Sequence, residues 1–131
     1  MRNYKTLSAW QRADELTFMI YQVTKSFPVE ETYGIISQLR RSAYSVPSNI
    51  AEGCGRESNV EYLRFLSIAR GSLSETEYFL HLSNRLGYLS ELDNECFTEM
   101  VNQTFATLSG LIRSVKMSIQ KTGNTNKPNN L

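Results

Sequence analysis

The sequence predicts an all-α protein folded as an antiparallel, up-down-up-down four-helix bundle. Apolar residues recur at steps of three and four along most of the chain, the period of one helix face, and alternating strand patterns are absent. Turn residues divide the chain into four such segments, and short connections place consecutive helices side by side and antiparallel. The 131 residues suffice for one hydrophobic core without disulfide or metal support. We expect the bundle to span residues 1–121 and a disordered polar tail to span 122–131.

The first helix is expected to begin near Ser8, a suitable N-cap residue. Its apolar stripe advances in alternating steps of four and three, as in a bundle seam: Ala9, Ala13, Leu16, Ile20, Val23 and Phe27. The helix should end at Phe27, because the residue before a proline disfavours helical backbone.

The second helix is expected to begin at Val29 or Glu30, directly after Pro28, which suits a helix entry. Its seam has the same steps: Ile36, Leu39, Ala43, Val46 and Ile50. Pro47 removes one backbone donor from this helix. Because the apolar steps continue beyond Pro47, we expect a kink there and a helix end at the glycines of residues 53–55.

The third helix is expected to begin at Ser58, which forms a capping box with Glu61, and to end at Gly87. Its seam comprises Tyr62, Leu66, Ala69, Leu73, Thr76, Leu80 and Ser83. A second stripe lies beside it: Phe65, Ile68, Ser72, Phe79, Leu82 and Leu86. The fourth helix should open at Ser90, with Asp93 at the boxed position, and stop at Gly123. Its predicted seam is Phe97, Val101, Thr104, Leu108, Leu111, Val115 and Ser118.

The formal net charge of +1 does not by itself demand a nucleic-acid or membrane partner. Acidic residues nevertheless concentrate between residues 75 and 99, and every charged residue after position 99 is basic. This unevenness reflects either solvated helix faces or a polarised docking surface. The N-terminal segment lacks the apolar core of a signal peptide, and no stretch is long enough for a membrane span. We therefore expect a cytoplasmic protein without a membrane partner.

The sequence holds few residues that could carry catalysis. Its one histidine, His81, has no partner pattern, and no HExxH, P-loop or GxGxxG motif is present. Cys54 and Cys96 have neither zinc-site spacing nor a nearby histidine, and the predicted topology puts them at opposite ends of the bundle. We expect no catalytic residue, no metal site, no cofactor and no disulfide bond between these cysteines. The sequence thus favours a binding protein over an enzyme.

The most informative segment spans residues 38–58. It places five polar side chains on one helix face, beside the apolar seam: Arg41, Ser45, Ser48, Asn49 and Glu52. In a structural interpretation, the serines and Asn49 compensate for the backbone groups freed by Pro47. Glu75 of the third helix should then face this stripe and accept a hydrogen bond from Asn49 or a serine.

A functional interpretation of the same segment is a recognition surface for an anion such as phosphate. It assigns nucleic-acid binding to one cluster near a helix end, made of Arg40, Arg41, Arg56 and Arg64. The two interpretations are compatible, and the residue spacing does not separate them.

Four pieces of the chain resemble the family of 23S rRNA-intervening-sequence, or S23, proteins. They read AWQRADEL, FPVEETYGIISQLRRSAYSVPSNIAEGCGR, EYLRFLSIARGSLSETEYFL and LGYL, and the resemblance covers residues 7–121. Tyr44 is a departure, since the family has a smaller aliphatic residue there. The family signature falls on these positions: Arg40, Arg41, Ser45, Pro47, Ser48, Asn49, Glu52, Gly53, Gly55, Arg56, Gly71, Ser72 and Glu75.

The resemblance implies a four-helix bundle assembled into homopentameric rings, with no catalytic role for the signature residues. Family members are often encoded within large-subunit ribosomal RNA genes. A relative, the accessory protein of diversity-generating retroelements, binds nucleic acid and a reverse transcriptase. The leading hypothesis is thus an oligomeric protein that binds RNA or DNA, and the alternative is a scaffold that binds proteins only.

Surplus apolar residues independently favour a homo-oligomer. The second stripe of the third helix carries Phe65, Ile68, Phe79 and Leu82, and the first helix places Phe18 and Tyr21 off its seam. Large apolar patches on a small protein usually mark interfaces. The alternative explanation is a wider core within a single bundle. The subunit number of five is implied by the resemblance alone.

Overall fold

The computed structural model describes residues 2–125, and four α-helices account for most of them. They are α1 (Ser8–Thr24), α2 (Ile35–Cys54), α3 (Asn59–Arg85) and α4 (Glu91–Thr125), with 3-10 turns at Tyr4–Thr6 and Val29–Glu31. Each helix packs against the next one, α4 packs back against α1, and the described residues contain no strand. The predicted all-α four-helix bundle is confirmed.

Three helix boundaries differ from the prediction. Helix α2 begins at Ile35 instead of at residue 29 or 30, because the backbone of Gly34 leaves the helical region at φ −104° and ψ −116°. The chain leaves α1 after Thr24 through tight turns that reach Phe27. Helix α4 continues through Gly123 to Thr125, since one glycine weakens a helix without ending it. The predicted disordered tail overlaps this last turn, and residues 126–131 of it lie outside the described residues.

The core follows the predicted seams of α2 and α3, and it departs from the prediction in α1 and α4. In α1 Val23 is half-buried while Thr24 is buried, and in α4 Ser118 is exposed. Ile112 is fully buried, whereas the predicted Leu111 is only half-buried. From Leu108 the buried positions advance by four residues to Ile112 and by three to Val115, so the helix turns Leu111 toward the edge of the core.

Helix α2 continues across Pro47, as predicted, and a neighbouring helix satisfies the backbone group that this proline frees. A helical residue at position 47 would donate its N–H to the carbonyl of Ala43, and proline has none. The hydroxyl of Thr17 in α1 lies 3.0 Å from that carbonyl and 2.8 Å from the carbonyl of Ala13 in its own helix, so the two carbonyls share its single proton. The predicted compensating side chains act elsewhere, since Asn49 and Ser48 both donate to the carbonyl of Ser45, at 2.8 and 3.3 Å.

Helices α2 and α3 approach closely because small residues line their contact. The hydroxyls of Ser45 and Ser72 lie 2.9 Å apart, and Thr76 donates to Ser42 at 3.0 Å. Near the end of α2, a β-carbon added to Gly53 would stand 2.9 Å from the β-carbon of Phe65. The backbone at Gly53 therefore sits against α3 with no room for a side chain.

Candidate functional site

The four arginines proposed as one nucleic-acid-binding cluster lie in two separate places. Arg40 and Arg41 are in the first half of α2, whereas Arg56 follows its end and Arg64 is in the second turn of α3. Thirteen residues separate Arg41 from Cys54, the last residue of α2, which corresponds to about 20 Å along the helix axis. The expectation of a single cluster is wrong, because Arg41 lies in the first half of α2 and Arg56 lies beyond the end of that helix.

At the α2–α3 turn, both arginines already have acidic partners. Arg56 forms an ion pair with Glu52 at 2.8 Å, and Arg64 forms one with Glu61 at 3.3 Å. Their guanidinium groups also lie over the ring of Phe65, at 4.6 and 4.9 Å from its centroid. The paired carboxylates offset the positive charge, so this turn offers a phosphate little net attraction.

Arg2 joins this turn, and the sequence pattern did not point to it. Its guanidinium donates to the carbonyls of Arg56 at 2.7 Å and Cys54 at 3.5 Å, and also to the side-chain oxygen of Asn59. The Cys54 carbonyl belongs to the last turn of α2, whose carbonyls have no helical partner. Arg2 therefore caps α2 from a distant part of the chain, and its donors are engaged in structure.

The hydroxyl of Tyr62 lies beside the thiol of Cys54 at this end of α2. Burial, with the neighbouring Cys54 thiol as the next contribution, raises the pKa of the Tyr62 hydroxyl above its ordinary value. The phenol therefore remains protonated around neutral pH. Cys54 is buried, Cys96 is exposed, and both are free thiols, in agreement with the predicted absence of a bridge between them.

The polar stripe on α2 has a different partner from the one predicted. Glu75 is exposed and makes no hydrogen bond within residues 2–125, so the expected contact with Asn49 or a serine is absent. Ser72, one turn earlier in α3, faces α2 and contacts Ser45, and Asn49 donates to the Ser45 hydroxyl at 3.0 Å. The rotation of α3 that buries Thr76 directs Glu75 toward solvent. Ser45 and Asn49 of this stripe thus belong to the contact between the helices, whereas Arg41, Ser48 and Glu52 are exposed.

A shallow groove between α1, the α1–α2 connection and the first half of α2 holds the other two arginines. Its lining residues are Tyr21, Thr32, Tyr33, Ile36, Ser37, Arg40, Arg41 and Tyr44. None of these residues is acidic. We call this surface the tyrosine–arginine groove.

Arg40 is fixed within the tyrosine–arginine groove. Its Nε donates to the hydroxyl of Thr24 at 2.8 Å and its Nη2 donates to the carbonyl of Tyr21 at 3.4 Å. Its guanidinium lies 4.6 Å from the centroid of the Tyr21 ring. Because Tyr21 belongs to the last turn of α1, where a positive charge is favourable, Arg40 stabilises the end of that helix.

Arg41 has a different environment. Its side chain is exposed, and no residue within 2–125 forms a hydrogen bond or an ion pair with its guanidinium group. Two exposed rings share its groove, with Tyr33 95% and Tyr44 47% exposed. The sequence pattern predicted Arg41 as a nucleic-acid-binding residue. Tyr44 was singled out only because it departs from the family. A cation with open donors, next to exposed rings in a groove that no acidic side chain lines, makes this groove the strongest candidate site for an anionic ligand.

The remaining surface offers no comparable chemistry. Within residues 2–125, no group of three or more histidine, cysteine or acidic side chains is placed to hold a metal ion. No helix in the same part of the chain is both long and apolar enough to cross a membrane. His81 is exposed on α3, next to the ring of Tyr78.

Known proteins match the chain in family and in fold. The family model described as 23S rRNA-intervening sequence protein matches residues 5–110. A crystal structure of a protein of unknown function from the S23 ribosomal protein family of Bacteroides thetaiotaomicron is 25% identical in sequence, with a TM-score of 0.72. The match covers 79% of this chain and 97% of that one. No match is found among curated proteins.

Proposed function

The chain belongs to the 23S rRNA-intervening sequence protein family, and we propose that it is a non-enzymatic homo-oligomer that binds RNA or DNA through phosphate contacts. The observation that carries the proposal is Arg41, an exposed guanidinium without an acidic partner in a groove without acidic residues. Among the arginines first considered, Arg56 and Arg64 are offset by glutamates and Arg40 is engaged at the end of α1. This contrast narrows the proposed contact from the four arginines to the tyrosine–arginine groove.

The chemistry of the groove suits a phosphate. A guanidinium presents paired N–H donors that match two phosphate oxygens, and it remains charged at every physiological pH. Arg40 adds a second positive charge that is held in place by Thr24. Because the protein as a whole carries a net charge of only +1, attraction is local, and several copies in one assembly would multiply it through avidity.

We expect binding of RNA or DNA that weakens as salt is raised and that depends on Arg41. The variant Arg41→Ala should bind more weakly, and its salt slope should be lower by about one for each phosphate that Arg41 neutralises. Arg56→Ala is the matched control, because that arginine is paired with Glu52. Fluorescence anisotropy across a salt series measures both, and circular dichroism verifies folding.

Two results would contradict the binding proposal. If the wild type binds no nucleic acid at low salt, the scaffold alternative is favoured. If Arg56→Ala weakens binding while Arg41→Ala does not, the α2–α3 turn is the contact surface.

The proposal of a homo-oligomer rests on apolar residues that the bundle leaves exposed. Of the surplus residues, Phe65 is buried and Phe79 and Leu82 are half-buried, so a wider core accounts for them. Phe18 in α1 is 58% exposed, and Ile68 in α3 is 43% exposed. Helices α1 and α3 do not contact each other, so these residues lie on different faces. A repeated contact between two different faces closes into a ring when its rotation permits.

Light scattering at micromolar concentration should give a mass several times the 15.0 kDa of one chain. A pentamer, the number implied by the family resemblance, has about five times that mass. Ile68→Lys should lower the mass, because a charge would be buried in the interface. Met117→Lys, at an exposed position of α4, should leave it unchanged. A mass of one chain for the wild type would refute the oligomer.

A further inference from the structure

We infer that the tyrosine–arginine groove takes single-stranded nucleic acid in preference to duplex, with bases stacked on Tyr33 and Tyr44. This inference rests on the proposed function and names the substrate class of the same groove. Its basis is the combination of exposed aromatic rings with cations in a groove that no acidic side chain lines. Surfaces that bind single strands combine the same two components, since cations follow the backbone and rings stack on bases.

Both tyrosine rings are exposed to solvent. Tyr33 is 95% exposed, and the Tyr44 ring remains about half in solvent at 47%. The side chains of Tyr33 and Tyr44 form no hydrogen bond, ring contact or cation–π contact with another residue of the described chain. Their faces are thus available to a ligand. Tyr21 differs, because the guanidinium of Arg40 already covers its ring.

Arg41 lines the same groove as the two tyrosines. Tyr44 follows Arg41 by three residues in α2, so the two side chains are neighbours on one helix face. A strand that stacks a base on Tyr44 would hold the adjoining phosphate within reach of the guanidinium. Tyr33 lies in the connection that precedes α2 and lines the same groove, which gives a second platform beside the same cation.

A single strand and a duplex differ in whether their bases can stack on the two tyrosine rings. In a duplex each base is paired and is stacked between its neighbours. An exposed ring on the protein therefore meets only the edges of the base pairs in the grooves. Unpaired bases present their faces and stack on aromatic side chains. A duplex can therefore use Arg41 alone, whereas a single strand can use Arg41 and both tyrosines.

The test compares fluorescein-labelled 20-nucleotide oligouridylate, oligothymidylate and a 20-base-pair DNA duplex at one salt concentration. The double variant Tyr33→Ala/Tyr44→Ala should bind the two single strands at least tenfold more weakly, since each stacked base contributes strongly to affinity. Its affinity for the duplex should not change. Tyr33→Phe/Tyr44→Phe should keep single-strand affinity, because stacking needs the ring and not the hydroxyl. Tyr78→Ala, at an exposed tyrosine of α3, is the matched control.

The outcomes separate this inference from the function it rests on. If the wild type binds none of the three probes, the proposed function fails and the inference falls with it. If it binds all three equally and the double variant is unaffected, the function stands and the single-strand inference is refuted. If the double variant instead changes the mass in light scattering, the groove is an interface between copies of this chain, which also refutes the inference.

Discussion

Replacing Leu66 with alanine is expected to lower the free energy of unfolding by about 3 kcal/mol. Leu66 is fully buried in the N-terminal half of α3, on the seam that faces the other helices. The substitution removes the transfer free energy of the deleted atoms and leaves a cavity that close-packed neighbours fill only in part. Chemical denaturation followed by circular dichroism measures the change. Protein concentration must be held fixed, because the proposed assembly would make stability depend on concentration.

The matched control is Leu92→Ala, at a leucine that is 70% exposed at the start of α4. Since its side chain is already in water, truncation should change the unfolding free energy by less than about 0.5 kcal/mol. Equal losses of stability at the two positions would mean that Leu66 does not lie in the core of the protein in solution.

The second large effect is expected at Gly53, where Gly53→Ala should be less stable than Gly71→Ala by about 1–3 kcal/mol. The two glycines lie inside helices, and alanine improves helix propensity at both positions. At Gly71 the added methyl group meets nothing within 4 Å. At Gly53 it would meet the β-carbon of Phe65 at 2.9 Å and the ring of Tyr62 at 3.0 Å. The difference between the variants therefore isolates the close approach of α2 to α3.

Thermal and chemical denaturation of both variants, with the wild type alongside, measure this difference. Gly71→Ala should be slightly more stable than the wild type, by about 0.5–1 kcal/mol. A Gly53→Ala protein that matches or exceeds the stability of Gly71→Ala would show that α2 and α3 are less close in solution than 2.9 Å implies.

Features that depend on neighbours in the sequence could be predicted. The predicted N-caps at Ser58 and Ser90 are present, with their hydroxyls accepting from the N–H groups of Glu61 and Asp93 at 3.1 and 3.0 Å. The buried faces of α2 and α3 also follow their predicted seams, because the helical period and the apolar stripe are both properties of one segment.

The candidate site was only partly predictable, because its residues meet through the packing of separate segments. Arg41 was identified from its spacing, but its lack of an acidic partner and the ion pairs of Arg56 and Arg64 depend on side-chain positions that spacing does not give. Arg2 caps a helix more than fifty residues away, and no spacing pattern encodes such a contact. Likewise, Tyr33 is exposed in the connection between α1 and α2, whereas the sequence pattern placed it in the second helix.

The bond between Thr17 and the carbonyl of Ala43 has a consequence for the axial register of α1 against α2. Apolar side chains in a seam are partly interchangeable, so sliding one helix by a turn can preserve most of their burial. Such a slide of about 5.4 Å would replace Thr17 by Ala13 or Tyr21 opposite Ala43, and neither offers a short hydroxyl. The carbonyl left open by Pro47 would then lack a donor. A proline in one helix and a threonine in its neighbour thus select a single alignment of the pair.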